Sequence, residues 1–141
     1  RADRFGASQA LIATSDIDLP SAIRNATDGR GADLAFEASG APEAMEAALS
    51  SVRIGGRVVF VGAVRPTRPL AIDGEQIVRR LLTLRGLHNY IPDDLRTAVE
   101  FLGRSEAPFD QFVSPAFSLN DADAAFAAAR TNGALRTAVK P

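Results

Sequence analysis

The sequence predicts an α/β fold in which parallel strands form a doubly wound sheet flanked by helices. Short apolar runs alternate with stretches of helical apolar spacing along the 141 residues, which is the order that produces a parallel sheet with right-handed crossovers. Residues 33–40 (DLAFEASG) and 55–62 (GGRVVFVG) are two such runs, and each ends at a glycine. The helix-patterned segment between them completes a predicted strand–helix–strand unit.

The first third of the chain predicts a strand, a helix and a second strand. Residues 9–13 (QALIA) are apolar and predict the first strand. Asp18 is suited to cap a helix with Pro20 in its first turn, where a missing N–H is tolerated. The second strand is predicted at residues 34–38. The opening residues lack an initiator Met and resemble a helix end closed by Gly6, so we expect the chain to be part of a longer protein.

The middle of the chain predicts a helix that starts at Pro42 and stops at Gly55-Gly56. Its apolar residues recur at helical spacing and form one stripe: Met45, Ala48, Leu49 and Val52. Residues 57–61 (RVVFV) form a near-continuous β-branched and aromatic run, which is typical of a strand covered on both faces. Two prolines in residues 63–69 indicate a loop, and residues 70–72 suit a short edge strand.

The remaining elements follow from caps and apolar spacing. Asp73 is predicted to cap a helix over residues 74–80, and the arginines of residues 65–80 are predicted to form a solvated face. A strand is predicted to begin at Leu82 and end at Leu87, with a helix opening at Pro92. A loop covers residues 107–115, Asn120 caps a further helix, and residues 135–139 predict a final strand.

Composition excludes several classes of function. The formal net charge is −1, so the chain lacks the basic footprint of a nucleic-acid-binding protein. No apolar run reaches 18 residues, the length that a membrane helix requires. Cysteine is absent and His88 is the single histidine, so neither a disulfide framework nor a complete metal site is expected.

The glycine-rich strand ends point to a ligand site. In doubly wound sheets, ligands bind outside the carboxyl ends of the strands, and glycine lets a ligand approach the backbone. These ends are Ser39-Gly40, Val61-Gly62 and the segment from Gly86 to Asn89. The G-x-G-x-x-G fingerprint of dinucleotide-binding proteins is absent, because Gly29-Arg-Gly31 is not followed by the third glycine and precedes a strand rather than a helix.

Four single residues allow two interpretations each. Glu37 could contact a ribose, although we favour a strand-edge carboxylate paired with an arginine. His88 could shuttle protons, but a loop histidine whose backbone matters more than its ring is the simpler interpretation. Tyr90 suits packing or a substrate wall. Arg136 could bind phosphate in a bidentate manner or be a solvated arginine at a strand end.

Seven short motifs occur in a characteristic order: Phe5-Gly-Ala, Gly29-Arg-Gly-Ala-Asp, Phe36-Glu-Ala-Ser-Gly, Gly55-Gly-Arg-Val-Val, Val61-Gly, Leu84-Arg-Gly and Val139-Lys-Pro. Together they resemble the C-terminal part of the zinc-type medium-chain alcohol dehydrogenases, over essentially the whole chain. The segment from Gly86 to Tyr90 further resembles a bacterial subgroup associated with phosphonate catabolism.

The resemblance implies a truncated dinucleotide-binding domain over residues 1–141, a partial Rossmann-type sheet with flanking and C-terminal helices that lacks its first two strands. It also implies that the glycine-rich phosphate loop, the ribose-binding acid and the catalytic zinc domain lie upstream. The parent would use NAD or NADP to interconvert a small alcohol and its aldehyde or ketone. Zinc would belong to the missing catalytic domain, and this chain would hold no metal and no catalytic residue.

The resemblance also assigns cofactor-binding positions. Ala38, Ser39 and Gly40 match the strand end beside the adenosine and ribose, and Val61, Gly62 and Ala63 match the end beside the nicotinamide ribose. Leu87, His88 and Asn89 match the segment that holds the carboxamide. Arg136 matches the basic residue that reaches the pyrophosphate.

The family resemblance further implies a cytoplasmic homo-oligomer joined through the strand edge from Leu82 to Leu87, with no membrane or nucleic-acid partner. Two alternatives stay open: a zinc-free quinone or enoyl reductase of the same superfamily, and a stand-alone binding module without catalysis. With its first two strands missing, the strand at residues 9–13 would have no neighbour and the strand at residues 34–38 one bare side. We therefore expect the isolated chain to dimerise, to swap strands or to leave its N-terminus displaced. Because half of the pyrophosphate cradle lies upstream, we also expect the chain by itself to be inactive and to bind NAD(H) no better than millimolar.

Overall fold

The chain divides into a contiguous unit and a unit built from both ends of the sequence. The computed structural model describes residues 2–14, 16–62, 66–131 and 135–141. The central unit runs from Ile12 to Tyr90, and the terminal unit combines Arg1–Leu11 with Ile91–Pro141. Each unit is described by itself below.

The central unit is a three-stranded parallel sheet with three helices. The strands lie in the order β1-β2-β3, which confirms the predicted parallel α/β class. Their bounds are Ala32–Glu37 for β1, Val52–Phe60 for β2 and Thr83–Gly86 for β3. The helices are α1 at Leu19–Asn25, α2 at Pro42–Ser51 and α3 at Gly74–Arg79.

The helices of the central unit begin where their caps predict. The Asp18 carboxylate accepts a hydrogen bond from the Ser21 amide at 3.3 Å at the start of α1. The Asp73 carboxylate accepts one from the Glu75 amide at 2.9 Å at the start of α3. Such bonds satisfy amides that have no partner within the helix. The predicted helix starts at Asp18 and Asp73 are confirmed, and so is the predicted start of α2 at Pro42.

The core of the central unit lies between α2 and one face of the sheet. Val58 is fully buried, and Leu49 and Val52 pack with it. On the other face of the sheet Phe36 is 65 % exposed, and Arg57 is also exposed. The prediction that residues 57–61 are covered on both faces is therefore wrong for this structure, because burial on two faces requires a helix against each of them.

Strand β2 starts earlier than predicted. It begins at Val52, directly after α2, and runs through the glycine pair that was expected to end the helix. The register with β1 pairs Ala32 with Val52 and then Leu34 with Arg57, so the intervening residues of β2 bulge outward. Gly55 adopts a φ of +72° in this bulge, a conformation that glycine accepts at little cost.

Two predicted strands are absent from the described residues. Residues 9–13 are irregular and join no sheet. Strand β1 lies at the end of the strand order, with β2 as its ladder partner, and Ile12 is 80 % exposed. Residues 70–72 are also irregular. There the Ala71 amide donates to the Glu46 carboxylate at 2.8 Å. This amide is therefore not available for pairing with a neighbouring strand.

The terminal unit contains α4 at Pro92–Arg104, β4 at Phe117–Ser118, α5 at Ala122–Thr131 and β5 at Val139–Lys140. The predicted final strand at residues 135–139 is misplaced, because β5 shares only Val139 with it. Strand β5 pairs in parallel with β4, a strand that was not predicted. Asn120 does not cap α5; the Ser118 hydroxyl accepts from the Asn120 amide and caps a short 3-10 turn before α5.

Aromatic rings hold the two segments of the terminal unit together. The rings of Phe5 and Phe112 stack with their centroids 4.5 Å apart, and Phe109 lies 5.5 Å from Phe5.

Among the helices of the described segments, none combines the length and the apolar character needed to cross a bilayer.

Candidate functional site

An open cleft of about 750 Å³ lies at the carboxyl ends of β1 and β2. Five residues that the resemblance assigns to a cofactor line it together: Ala38, Ser39, Gly40, Val61 and Gly62. The described lining is completed by Ala41, Pro42, Pro66 and Thr67. No lining residue in this described set is charged, so the cleft offers backbone groups, two hydroxyls and small apolar surfaces.

The two strand ends that form the cleft are in direct backbone contact. The Glu37 carbonyl accepts hydrogen bonds from the Val61 amide at 2.8 Å and the Gly62 amide at 3.1 Å. A β-carbon at Gly62 would lie 2.6 Å from the Ala38 carbonyl oxygen. Glycine is therefore required at residue 62 for the strand ends to approach this closely.

The turn after β1 is held by the side chain of Glu37, which is 5 % exposed. Its carboxylate accepts from the Ser39 amide at 2.7 Å, from the Ser39 hydroxyl at 2.5 Å and from the Gly40 amide at 3.1 Å. Gly40 has a φ of +77° in this turn. The favoured pairing of Glu37 with an arginine is wrong, because backbone amides of its own turn satisfy the carboxylate.

These hydrogen bonds keep Glu37 ionised. Burial raises the pKa of Glu37, but the bonds from Ser39 and Gly40 outweigh burial and leave the pKa below its ordinary value. Hydrogen bonds to the charged form have this effect on a carboxyl group. Glu37 is thus a structural anion that shapes the cleft wall and not a proton donor to a ligand.

The loop after β2 is tied to α2 by Arg68. Its guanidinium lies 2.8 Å from both the Glu43 and the Glu46 carboxylates, and Glu46 also accepts from the Ala71 amide. Pro66 and Thr67, directly before Arg68, line the cleft. Arg68 is still 46 % exposed, which agrees with the predicted solvated face of arginines, but its pairing with two carboxylates was not predicted. Glu43 and Glu46 are three residues apart in the first turns of α2, so both carboxylates reach the Arg68 guanidinium; we call these three residues the clamp.

The clamp predicts a pH dependence in acid. The bonds from Arg68, and then from the Ala71 amide, lower the pKa of Glu46 from 4.5 to about 2. A depressed pKa contributes stability that is complete above the ordinary pKa and is lost as pH falls through the folded-state value. We expect the free energy of unfolding to fall between pH 4.5 and about 2, and Glu46→Gln to reduce this fall.

Urea denaturation at a series of pH values measures this effect. Glu75→Gln is the matched control, because Glu75 pairs with Arg79 at 2.6 Å on an exposed surface of α3. If the free energy of unfolding falls with pH in the same way for Glu46→Gln and for the unmodified chain, the assigned role of Glu46 is contradicted.

The segment after β3 leaves the sheet at the same edge. The Leu87 amide donates to the Phe60 carbonyl at 2.9 Å, and Asn89 adopts a φ of +59°. Leu87, His88 and Asn89 do not line the described cleft, so their contact with a carboxamide stays a prediction. Ala63 lies outside the described residues.

Arg136 belongs to the terminal unit. Its amide donates to the Phe112 carbonyl at 2.9 Å, and its carbonyl accepts from the Ser114 amide at 2.8 Å. Arg136 also forms a single parallel bridge with Val113. These contacts fix the backbone of Arg136, and its predicted bond to a pyrophosphate stays a prediction.

The described residues do not fit a zinc site. In the described ranges, no three His, Cys, Asp or Glu side chains come together in a way that could hold a metal ion. The sequence supplies one histidine and no cysteine, whereas zinc sites are built mainly from these residues. No chemical step of this chain is therefore assigned to zinc.

Comparison with known sequences identifies relatives over most of the chain. The family model described as "Zinc-binding dehydrogenase" matches residues 1–104. D-arabitol-phosphate dehydrogenase of Enterococcus avium is 28% identical over 89% of this chain and 35% of its own length. The 2-dehydro-3-deoxy-L-galactonate 5-dehydrogenase of Pseudoalteromonas atlantica is 31% identical over 89% of this chain and 36% of its own length.

Comparison with solved structures finds the same fold. An alcohol dehydrogenase from Thermotoga maritima superposes with a TM-score of 0.87 and 25% identity, over 99% of this chain and 39% of that chain. Benzyl alcohol dehydrogenase from Acinetobacter calcoaceticus gives a TM-score of 0.80 at 23% identity, over 99% of this chain and 38% of that chain. The chain thus spans little more than a third of the length of these proteins.

Proposed function

The chain belongs to the zinc-binding dehydrogenase family, and from this premise we propose that it forms one wall of the NAD(P) site of a longer alcohol dehydrogenase. When bound, the nicotinamide group carries hydride between an alcohol and its carbonyl product. The residues of this chain bind and orient that cofactor. A zinc ion would be held by residues outside this chain, because its described residues do not fit one.

The observation that supports this function most directly is the cleft at the carboxyl ends of β1 and β2. Ligands of doubly wound sheets bind at this edge, and the close approach of Gly62 to the turn after β1 brings together the two strand ends that line the cleft. An uncharged lining suits the sugar and base parts of a dinucleotide. We assign Ser39 and Gly40 to the adenosine side, and Val61 and Gly62 to the nicotinamide ribose.

The relatives guide the proposed substrate class. Their names include dehydrogenases of arabitol phosphate, sorbitol and threonine, so we propose a small polar alcohol as substrate. We also propose a cytoplasmic homo-oligomer joined through β3, which is the last strand of the sheet.

Titration of the isotope-labelled chain with NADH, followed by NMR, tests the cofactor site. We expect amide shifts confined to the cleft, at Ser39, Gly40, Val61 and Gly62, with weak, millimolar affinity because the chain supplies a single wall. Val61→Trp should abolish these shifts by filling the cleft. Val78→Trp on α3, where Val78 is 73 % exposed, is the control and should bind as the unmodified chain does. Shifts that avoid the cleft would refute the assignment.

A further inference from the structure

A second cleft, of about 440 Å³, lies at the amino ends of the strands, on the edge of the sheet opposite the carboxyl-end cleft. Four arginines line it: Arg24, Arg30, Arg53 and Arg80. None of the described residues that line it is acidic. We call this surface the basic cleft.

The fold brings these arginines together from separate elements. Arg24 lies in the last turn of α1, and Arg30 lies in the turn before β1. Arg53 occupies the bulge at the start of β2, and Arg80 follows the last residue of α3. The convergence therefore depends on the bulge of β2 and on the length of α3, and not on a basic run in the sequence.

The arginines carry more positive charge than their partners neutralise. Arg30 and Arg53 share the Asp33 carboxylate, at 2.8 Å and 2.5 Å. Arg24 donates to the Ser50 carbonyl at 3.4 Å, and Arg80 donates to the carbonyls of Leu49 and Val52. Four positive charges against the carboxylates of Asp33 and of Asp18, which interacts electrostatically with Arg24, leave a formal surplus of two, although the whole chain has a net charge of −1.

The surplus persists across the physiological pH range. Hydrogen bonds from Arg30 and then from Arg53 hold the pKa of Asp33 well below its usual range, and arginine stays protonated. Part of the arrangement has a structural purpose, because Arg24 and Arg80 bind carbonyls at the C-terminal end of α2. These carbonyl contacts account for the positions of Arg24 and Arg80. They do not account for Arg30 and Arg53, which share the Asp33 carboxylate.

We propose that the basic cleft binds a small anion that carries phosphate groups, with pyrophosphate as its simplest representative. Each guanidinium has five N–H donors, and two arginines from different elements can hold phosphate oxygens in a bidentate manner. Gln76 adds an amide to the lining. This site is separate from the cofactor cleft and does not depend on the proposed dehydrogenase function.

Calorimetric titration with pyrophosphate at low ionic strength tests the proposal. The double variant Arg24→Gln/Arg53→Gln should weaken binding roughly tenfold or more, since each lost charged contact removes on the order of 1 kcal/mol. Both side chains reach the solvent, and Asp33 keeps Arg30 as a partner, so circular dichroism should show an intact fold. Arg96→Gln is the control, because Arg96 pairs with Asp93 at an exposed site of α4.

Further ligands and variants separate the sources of the effect. ADP should bind like pyrophosphate, and adenosine should not, if the phosphate groups are recognised. Val61→Trp, which fills the cofactor cleft, should leave pyrophosphate binding unchanged. The proposal is overturned if the double variant binds pyrophosphate as tightly as the unmodified chain, if Arg96→Gln weakens binding equally, or if Val61→Trp abolishes it.

Discussion

Gly62→Ala is expected to lower the free energy of unfolding by about 3 kcal/mol, at the upper end of the cost of overpacking. The added β-carbon would meet backbone atoms of Ala38 and Gly40 at distances that real β-carbons do not adopt. Backbone atoms cannot rotate away as the end of a flexible side chain can. The strand ends must therefore separate, which also stretches the bonds from Val61 and Gly62 to the Glu37 carbonyl.

Urea denaturation of Gly62→Ala measures this loss, with two other glycines as controls. A β-carbon at Gly86, at the end of β3, would meet no atom within 4 Å, so Gly86→Ala should be nearly neutral. A β-carbon at Gly103 in α4 also meets no atom within 4 Å, and Gly103→Ala should stabilise by about 0.5–1 kcal/mol through helix propensity. If Gly62→Ala is as mild as Gly86→Ala, the close approach of the strand ends is not required.

The second large effect is expected at Glu37. Glu37→Ala leaves the part-buried Ser39 amide and the buried Gly40 amide without their acceptor, and an unsatisfied buried donor costs about 1–3 kcal/mol. We expect a total loss of about 3 kcal/mol in the free energy of unfolding. The NADH-induced shifts of Ser39 and Gly40 should disappear, because the turn no longer presents its backbone to the cleft.

Glu37→Gln distinguishes charge from shape. Its amide oxygen can replace Oε1, which accepts from the Ser39 amide, the Ser39 hydroxyl and the Gly40 amide, while its NH2 group replaces Oε2 and faces the Gly40 amide. The loss should therefore be smaller than for Glu37→Ala, about 1–2 kcal/mol. Glu100→Ala is the control, since Glu100 is 54% exposed on α4. If Glu37→Ala unfolds at the same urea concentration as Glu100→Ala, the carboxylate does not hold the turn.

Local sequence signals predicted most of the helices and the central strands. Asp18, Pro42 and Asp73 each marked a helix start, because side-chain caps and the fixed φ of proline act within a few residues. The β-branched run of β2 predicted the buried position of Val58. These signals succeed because their cause lies within the segment itself.

The errors have long-range causes. Residues 9–13 have the composition of a strand, but a strand forms only against a neighbour, and β1 pairs with β2. The start of β2 depends on a bulge whose Gly55 amide donates to the Arg80 carbonyl at 2.8 Å. The neighbouring strand that residues 9–13 would need cannot be identified from those residues. In the same way, the sequence of the bulge does not reveal its bond to the Arg80 carbonyl.

The backbone that lines the cleft was predictable from the sequence, but the side-chain contacts that hold this backbone in place were not. Glycines at strand ends identified the turn at Gly40 and the close approach at Gly62. The pairing of Arg68 with Glu43 and Glu46 joins a loop to a helix about 25 residues earlier, which no local pattern encodes. For Glu37, charge complementarity suggested an arginine, whereas geometry provided nearby amides.

The arrangement of the two units has a consequence for synthesis on the ribosome. Residues 12–90 contain the whole of the central sheet and the helix that covers it, so this unit can fold as soon as it leaves the exit tunnel. Phe5 is made earlier, yet its stacking partner Phe112 emerges more than a hundred residues later. The segment around Phe5 thus reaches its stacking contact with Phe112 only after the middle of the chain has been made.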